Sequence, residues 1–149
     1  MKSLRLLVVL SLVLLISCNR EKNVTEKVSY PDGTPKSITE YKVTGKRKEI
    51  QKETNYYPGN KLQVTGTYKE GKRDGHWIYY YRNGKIWSEG FFKDGKNEGK
   101  RVTYFENGQV RYEAYYKDDL RVGKWRFFDE QGTLLQVIKY DNPSDTLTK

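Results

Sequence analysis

A single cysteine, Cys18, and a single histidine, His76, remove several kinds of chemistry from this chain. One cysteine makes no intrachain disulfide. A lone histidine cannot assemble a multi-ligand metal set, and His76 stands beside Gly75 and Trp77, where a packing or surface role is expected. Ser88 has no partner of the Ser–His–Asp kind that the sequence can place. Glu98 aligns with Asp74, but both lie among lysines and glycines and read as solvated turn carboxylates. No G-x-x-x-x-G-K-[ST] string is present to cradle a phosphate. Without a nucleophile, an acid–base pair or a metal set, the expectation is a non-enzymatic protein with no cofactor, no metal and no small-molecule ligand. Helix signals are absent after residue 20.

The one long apolar run, Leu6 to Ile16, follows Lys2 and Arg5 and is shorter than the roughly 20 residues of a spanning helix. It fits the core of a secretory signal peptide. The run ends Leu15-Ile16-Ser17-Cys18, which resembles the bacterial lipobox. That resemblance implies signal cleavage after residue 17 and lipidation of Cys18, with the mature chain anchored to a membrane of the cell envelope. Each buried acyl methylene contributes about 0.8 kcal/mol, so two or three chains hold a protein at a membrane essentially permanently. Loss of Lys2 and Arg5 lowers the formal charge from +9 to +7. Scattered as these charges are, and outside the cytoplasm, they favour solubility, and no nucleic-acid partner is expected.

Thirteen tyrosines, five phenylalanines and three tryptophans all lie after residue 29, and they recur. Gly84, Gly108 and Gly132 are 24 residues apart. The same interval relates Gly75, Gly99 and Gly123; Tyr68, Phe92, Tyr116 and Tyr140; and Leu62, Ile86, Val110 and Leu134. A small-residue column, Gly66, Gly90 and Ala114, ends in Ile138. Upstream, "YPDGTPKSITEY" echoes "YPGNKLQVTGTY". The organisation expected is a signal peptide at 1–17, a polar tether at 18–29, a repeat domain at 30–140 and a flexible tail at 141–149.

Each unit reads as a β-hairpin. Trp77–Tyr81 and Ile86–Phe92 are rich in aromatic and β-branched residues. The Asn83-Gly84 pair between them suits a type I′ turn. In that register Tyr81 opposes Ile86, Tyr79 opposes Ser88, and Trp77 opposes Gly90, which leaves room for the indole. One face then carries Trp77, Tyr79, Tyr81, Ile86, Gly90 and Phe92 and is read as structural. The other carries Ile78, Tyr80, Trp87, Glu89 and Phe91 and is read as variable. A three-residue bulged turn would change this assignment. The segments "KEGKRDG", "KDGKNEG" and "KDDLRVG" read as connecting loops.

Tyr81-Arg82-Asn83-Gly84-Lys85 and the recurring "DGK..G" and "EGK..G" strings resemble the MORN repeat, in its bacterial variant form. The resemblance covers Tyr30 to Tyr140 and implies an all-β fold, an elongated single-layer antiparallel meander of stacked hairpins. It also implies lipid or protein binding, and links the chain to repeats labelled as antitoxins. The leading expectation is a scaffold surface for another envelope protein, with Tyr80, Trp87, Phe91, Arg111 and Tyr115 as candidate contacts. An immunity factor against a toxin, or a module binding an envelope glycan or anionic lipid, are the alternatives. The competing reading of the aromatics is that a sheet without a second layer packs by laying large side chains along its own surface.

Overall fold

The computed structural model describes residues 20–141. The expected signal peptide, Cys18 and the tail beyond residue 141 lie outside the described residues. Ten strands follow one another: β1 (Glu21–Ser29), β2 (Pro35–Thr44), β3 (Arg47–Tyr57), β4 (Lys61–Lys69), β5 (Lys72–Tyr80), β6 (Ile86–Lys93), β7 (Lys96–Tyr104), β8 (Val110–Lys117), β9 (Leu120–Phe128) and β10 (Leu134–Tyr140). They form one open antiparallel sheet in chain order. The all-β meander of stacked hairpins is therefore the fold.

The stretch read as a polar tether is a strand from Glu21 onward, paired with β2 from Glu21↔Thr44 to Ser29↔Pro35. Its side chains are almost all exposed. A polar composition was compatible with an edge strand, because backbone pairing asks nothing of the side chains.

The two kinds of connection exchange the roles the sequence implied. At the Asn-Gly corner Tyr81 N–H donates to the Lys85 carbonyl at 2.8 Å and Gly84 N–H to the Tyr81 carbonyl at 3.0 Å. Gly84 has φ 87°, while Asn83 is not left-handed. This is a three-residue loop, a type I turn closed by a glycine bulge. Asn83 Oδ1 accepts the Lys85 N–H at 2.9 Å, which holds the turn in that form. The two-residue primed turns lie instead in the segments read as loops, at Glu70-Gly71 (φ 50° and 76°) and Asp94-Gly95 (φ 50° and 89°). Those segments are strand ends around a tight turn.

The longer corner shifts the register. Tyr80 pairs with Ile86, Tyr79 with Ser88 and Trp77 with Gly90, leaving Trp87 as an extra, bulged residue. Gln63 and Arg111 are left over in the same way in neighbouring units. Ile86 therefore leaves the Trp77 face for that of Tyr80. Trp87 moves the other way: its ring lies 6.2 Å from that of Tyr79 and 6.4 Å from that of Tyr81.

The core sits on the Trp77 face, as the repeat columns indicated. Trp77 is 1% exposed, and Phe92, Ala114 and Trp125 are also buried. Trp77 lies over Gly66 of β4, where a Cβ would come within 2.1 Å of the indole. The slot at Gly90, expected to receive Trp77, receives Arg101, whose Nε would stand 3.1 Å from a Cβ there. Trp77 Nε1 donates to the Thr67 carbonyl and Trp125 Nε1 to the Tyr115 carbonyl, each at 3.1 Å. Guanidinium groups fill the gaps between rings: Arg73 lies 4.3 Å from the Trp77 ring centre and Arg121 4.9 Å from that of Trp125.

Arg101 occupies the position that Trp77 and Trp125 hold in the flanking units, and its Nε is buried with no partner. Arg101→Trp should place an indole on Gly90 with its N–H aimed at the Phe91 carbonyl. The expected gain is about 0.5–2 kcal/mol, read as a raised denaturation midpoint with unchanged m-value.

A second ladder ties the corners together. Tyr30, Tyr57 and Tyr81 donate their hydroxyls to the carbonyls of Tyr56, Tyr80 and Tyr104 at 2.8, 3.0 and 2.8 Å. Each corner is thereby fastened to the next hairpin, and the series stops at Phe105, which has no hydroxyl.

Candidate interaction surface

The opposite face is built in two rows. Nearest the Asn-Gly corners, aromatic–aliphatic pairs repeat across the sheet: Tyr56↔Leu62, Tyr80↔Ile86, Tyr104↔Val110 and Phe128↔Leu134. Such cross-strand pairs stabilise a sheet by roughly 0.2–1 kcal/mol each. Further along the strands the row is charged. Glu89 and Glu113, 24 residues apart, are each held by two neighbours. His76 Nε2 lies 3.0 Å from Glu89 Oε2, and Tyr104 donates its hydroxyl to Glu89 Oε1 at 2.6 Å. Lys100 Nζ donates to Glu113 Oε1 at 2.5 Å, with Arg126 Nη1 3.5 Å from its other oxygen.

Between these groups lies a shallow cleft of about 250 Å³ lined by His76, Glu89, Gly90, Phe91, Lys100 and Val102. Phe91 is 50% exposed and stacks on the His76 ring, the centroids 4.8 Å apart at 21°. His76 has a packing role here, as its sequence setting indicated. Ser88 is buried on the other face, donating to the Val102 carbonyl at 3.2 Å. Glu98 accepts from Lys117 at 2.7 Å and from the Asp118 N–H at 3.0 Å. These bonds, the Lys117 one first, hold its carboxyl below the usual range.

The five candidate contacts divide between the faces. Phe91 and Tyr115 share the cleft face, joined through Lys100, which lines the cleft with Phe91 and pairs with Tyr115. Tyr80 is on the same face, but in the packed aromatic row. Trp87, 45% exposed, lies with Tyr79 and Tyr81 on the core face. Arg111, bulged in the same position one unit on, has its guanidinium 5.6 Å from the Phe105 ring. The sequence reading missed Lys100, Glu113 and Arg126. Glu89 and Glu113 fall in one repeat column and were visible in it; their partners follow only from the register.

Burial, then the bond to Glu89, pushes the Tyr104 phenol up to about 12. Burial also raises Tyr68, Tyr81 and Tyr116. An unfolded tyrosine ionises near 10. The stability these groups contribute is therefore complete below pH 10 and is lost as pH climbs from 10 towards 12. The melting temperature should fall steeply in that window. Tyr104→Phe should make the fall shallower, as thermal scans across the range would show.

Four segments, residues 52–70, 73–94, 97–118 and 121–142, match the family model of the MORN repeat variant. Together they cover more than half of the chain. The chain belongs to this family. From residue 73 each MORN match spans one hairpin closed by a three-residue corner, β5–β6, β7–β8 or β9–β10, and the primed turns at Glu70-Gly71 and Asp94-Gly95 each begin on the last residue of a match. Strands β1 and β2 continue the same sheet ahead of the matched segments. A search of curated proteins finds no match to the chain. The protein is a MORN repeat protein. Among the described residues, no group of His, Cys, Asp and Glu side chains is placed to hold a metal ion.

Proposed function

We propose that this MORN repeat protein is a non-enzymatic lipoprotein of the bacterial envelope, anchored through Cys18, whose sheet docks another envelope protein on the face bearing Phe91 and Tyr115. The observation that carries the reading is Phe91, a half-exposed aromatic braced by His76 at the mouth of a cleft. A pre-positioned ring of this kind loses little conformational freedom on binding, which is why aromatic anchors dominate protein interfaces. The carboxylates beside it support a binding role over a catalytic one, since Glu89 and Glu113 are already committed to two partners each.

A photo-crosslinking residue at position 91 should trap a discrete protein in intact cells, and one at Lys46, in the exposed β2–β3 turn, should not. Recovery of no specific adduct from position 91 would remove the docking reading. Cys18→Ser should move the protein from the membrane fraction to the soluble one; retention in the membrane would remove the anchor.

A further inference from the structure

The two edges of the sheet are built differently. β1 carries Glu21, Lys22, Glu26 and Lys27 within nine residues, the kind of charged edge that discourages pairing. β10 carries one charge, Lys139, and leaves Leu134 50%, Leu135 66% and Val137 47% exposed. Among the described residues no strand faces its outer backbone groups. An open, apolar edge of this length is a template for strand addition.

Size and charge select what could be added. Ile138 stands in the column of Gly66, Gly90 and Ala114, so the slot that takes Trp77 on β4 is filled on β10. A further strand with a large ring at that position does not fit. Lys139 is paired directly with Lys124, and Arg126, which also reaches Glu113 at 3.5 Å, with Val137, which gathers three cations on one face of the edge. Like charges directly opposed destabilise a sheet. Lys139 bridges Asp141 at 2.7 Å, but both are more than half exposed and the bridge is weak. Lys124 has no carboxylate partner among the described residues. A second copy of β10 would bring a second Lys139 to this cluster. β1 of a second copy, in the register that carries the Gly66↔Trp77 pairing forward, would set Lys27 opposite Val137, beside Arg126.

We infer that the β10 edge receives an extended segment of a different protein, one that alternates acidic and small apolar side chains. Its backbone pairs with Leu134–Tyr140, its acidic side chains face Lys124, Arg126 and Lys139, and its apolar side chains cover the Ile138 side of the strand. This docking element is an edge rather than a face, and it requires neither the Phe91 cleft nor the lipid anchor.

The test uses the purified full-length chain and a synthetic peptide of about seven residues alternating valine and glutamate, matched to the length of a strand. Its counterpart has lysine in place of glutamate. The glutamate peptide should bind and slow amide exchange across Leu134–Tyr140, and the lysine peptide should not. Lys139→Glu should weaken the glutamate peptide at least about tenfold and admit the lysine one. Equal binding of both peptides, binding of neither, or protection confined to β1 would each overturn the inference. So would sedimentation of the peptide-free chain as a dimer with its β10 amides protected, since a second copy would then own the edge. Phe91→Ala should leave peptide binding unchanged; its loss in that variant would place the peptide on the face and likewise overturn the inference.

Discussion

Trp77→Ala should cost about 3–5 kcal/mol, the range for removing a fully buried tryptophan. Trp77 is the largest side chain buried almost completely among the described residues. Its ring meets Tyr68 at 5.3 Å and Phe92 at 6.0 Å, both edge-on, and carries the Arg73 guanidinium 4.3 Å from its centre. In a single-layer sheet no second layer can collapse into the space it leaves. The truncation also leaves the Thr67 carbonyl without its indole donor. Chemical denaturation should show a lower midpoint. A loss under about 1 kcal/mol would mean that the ring is not the keystone of its unit.

Gly66→Val should come close to the same cost from the other side of the contact. A Cβ at Gly66 would lie 2.1, 2.3 and 2.5 Å from three indole atoms, so the ring has to leave its seat. Overpacking of this kind costs about 1–3 kcal/mol and more where the displaced group is itself the core. The two changes should be strongly non-additive. Gly66→Val in a Trp77→Ala background should add little, because the clash has gone, and a double-mutant cycle would show a coupling of about 1–3 kcal/mol. Additive losses would mean that Gly66 matters for its backbone and not for the indole. The column tolerates a methyl elsewhere: Ala114 is fully buried one strand from Trp125, whose ring stacks on Tyr112 at 4°.

Much of this was readable from the chain itself, and the exceptions share a cause. The repeat, the hairpins and the Trp77–Tyr79–Phe92 face follow from columns 24 residues apart, since a side chain that must fill the same space in every unit recurs in type. The corner was misread because Asn-Gly suits both a two-residue primed turn and a three-residue bulged one. The choice rests on Asn83 Oδ1 accepting the Lys85 N–H, a contact that no periodicity records. From that single extra residue came the exchange of Ile86 and Trp87 between faces. The loops dissolved into strands for a related reason: Gly75, with φ 82°, sits where β5 slips from pairing Trp77 with Gly66 to pairing Asp74 with Thr67. A glycine read as a loop marker was a bulge inside a strand. At the candidate surface, Phe91 and Tyr115 were named from aromatic enrichment. The ties of Glu89 to Tyr104, and of Glu113 to Arg126, cross strands whose register the sequence does not reveal.

The plain order of the strands, each hydrogen-bonded only to those beside it in the chain, also fixes how the molecule yields to force. Tension applied between its two ends would run across the strands and meet their hydrogen bonds one pair at a time. Such a ribbon peels like a zipper at modest load instead of shearing as a block, and the rows of corner tyrosines and indoles are where each successive tooth would catch.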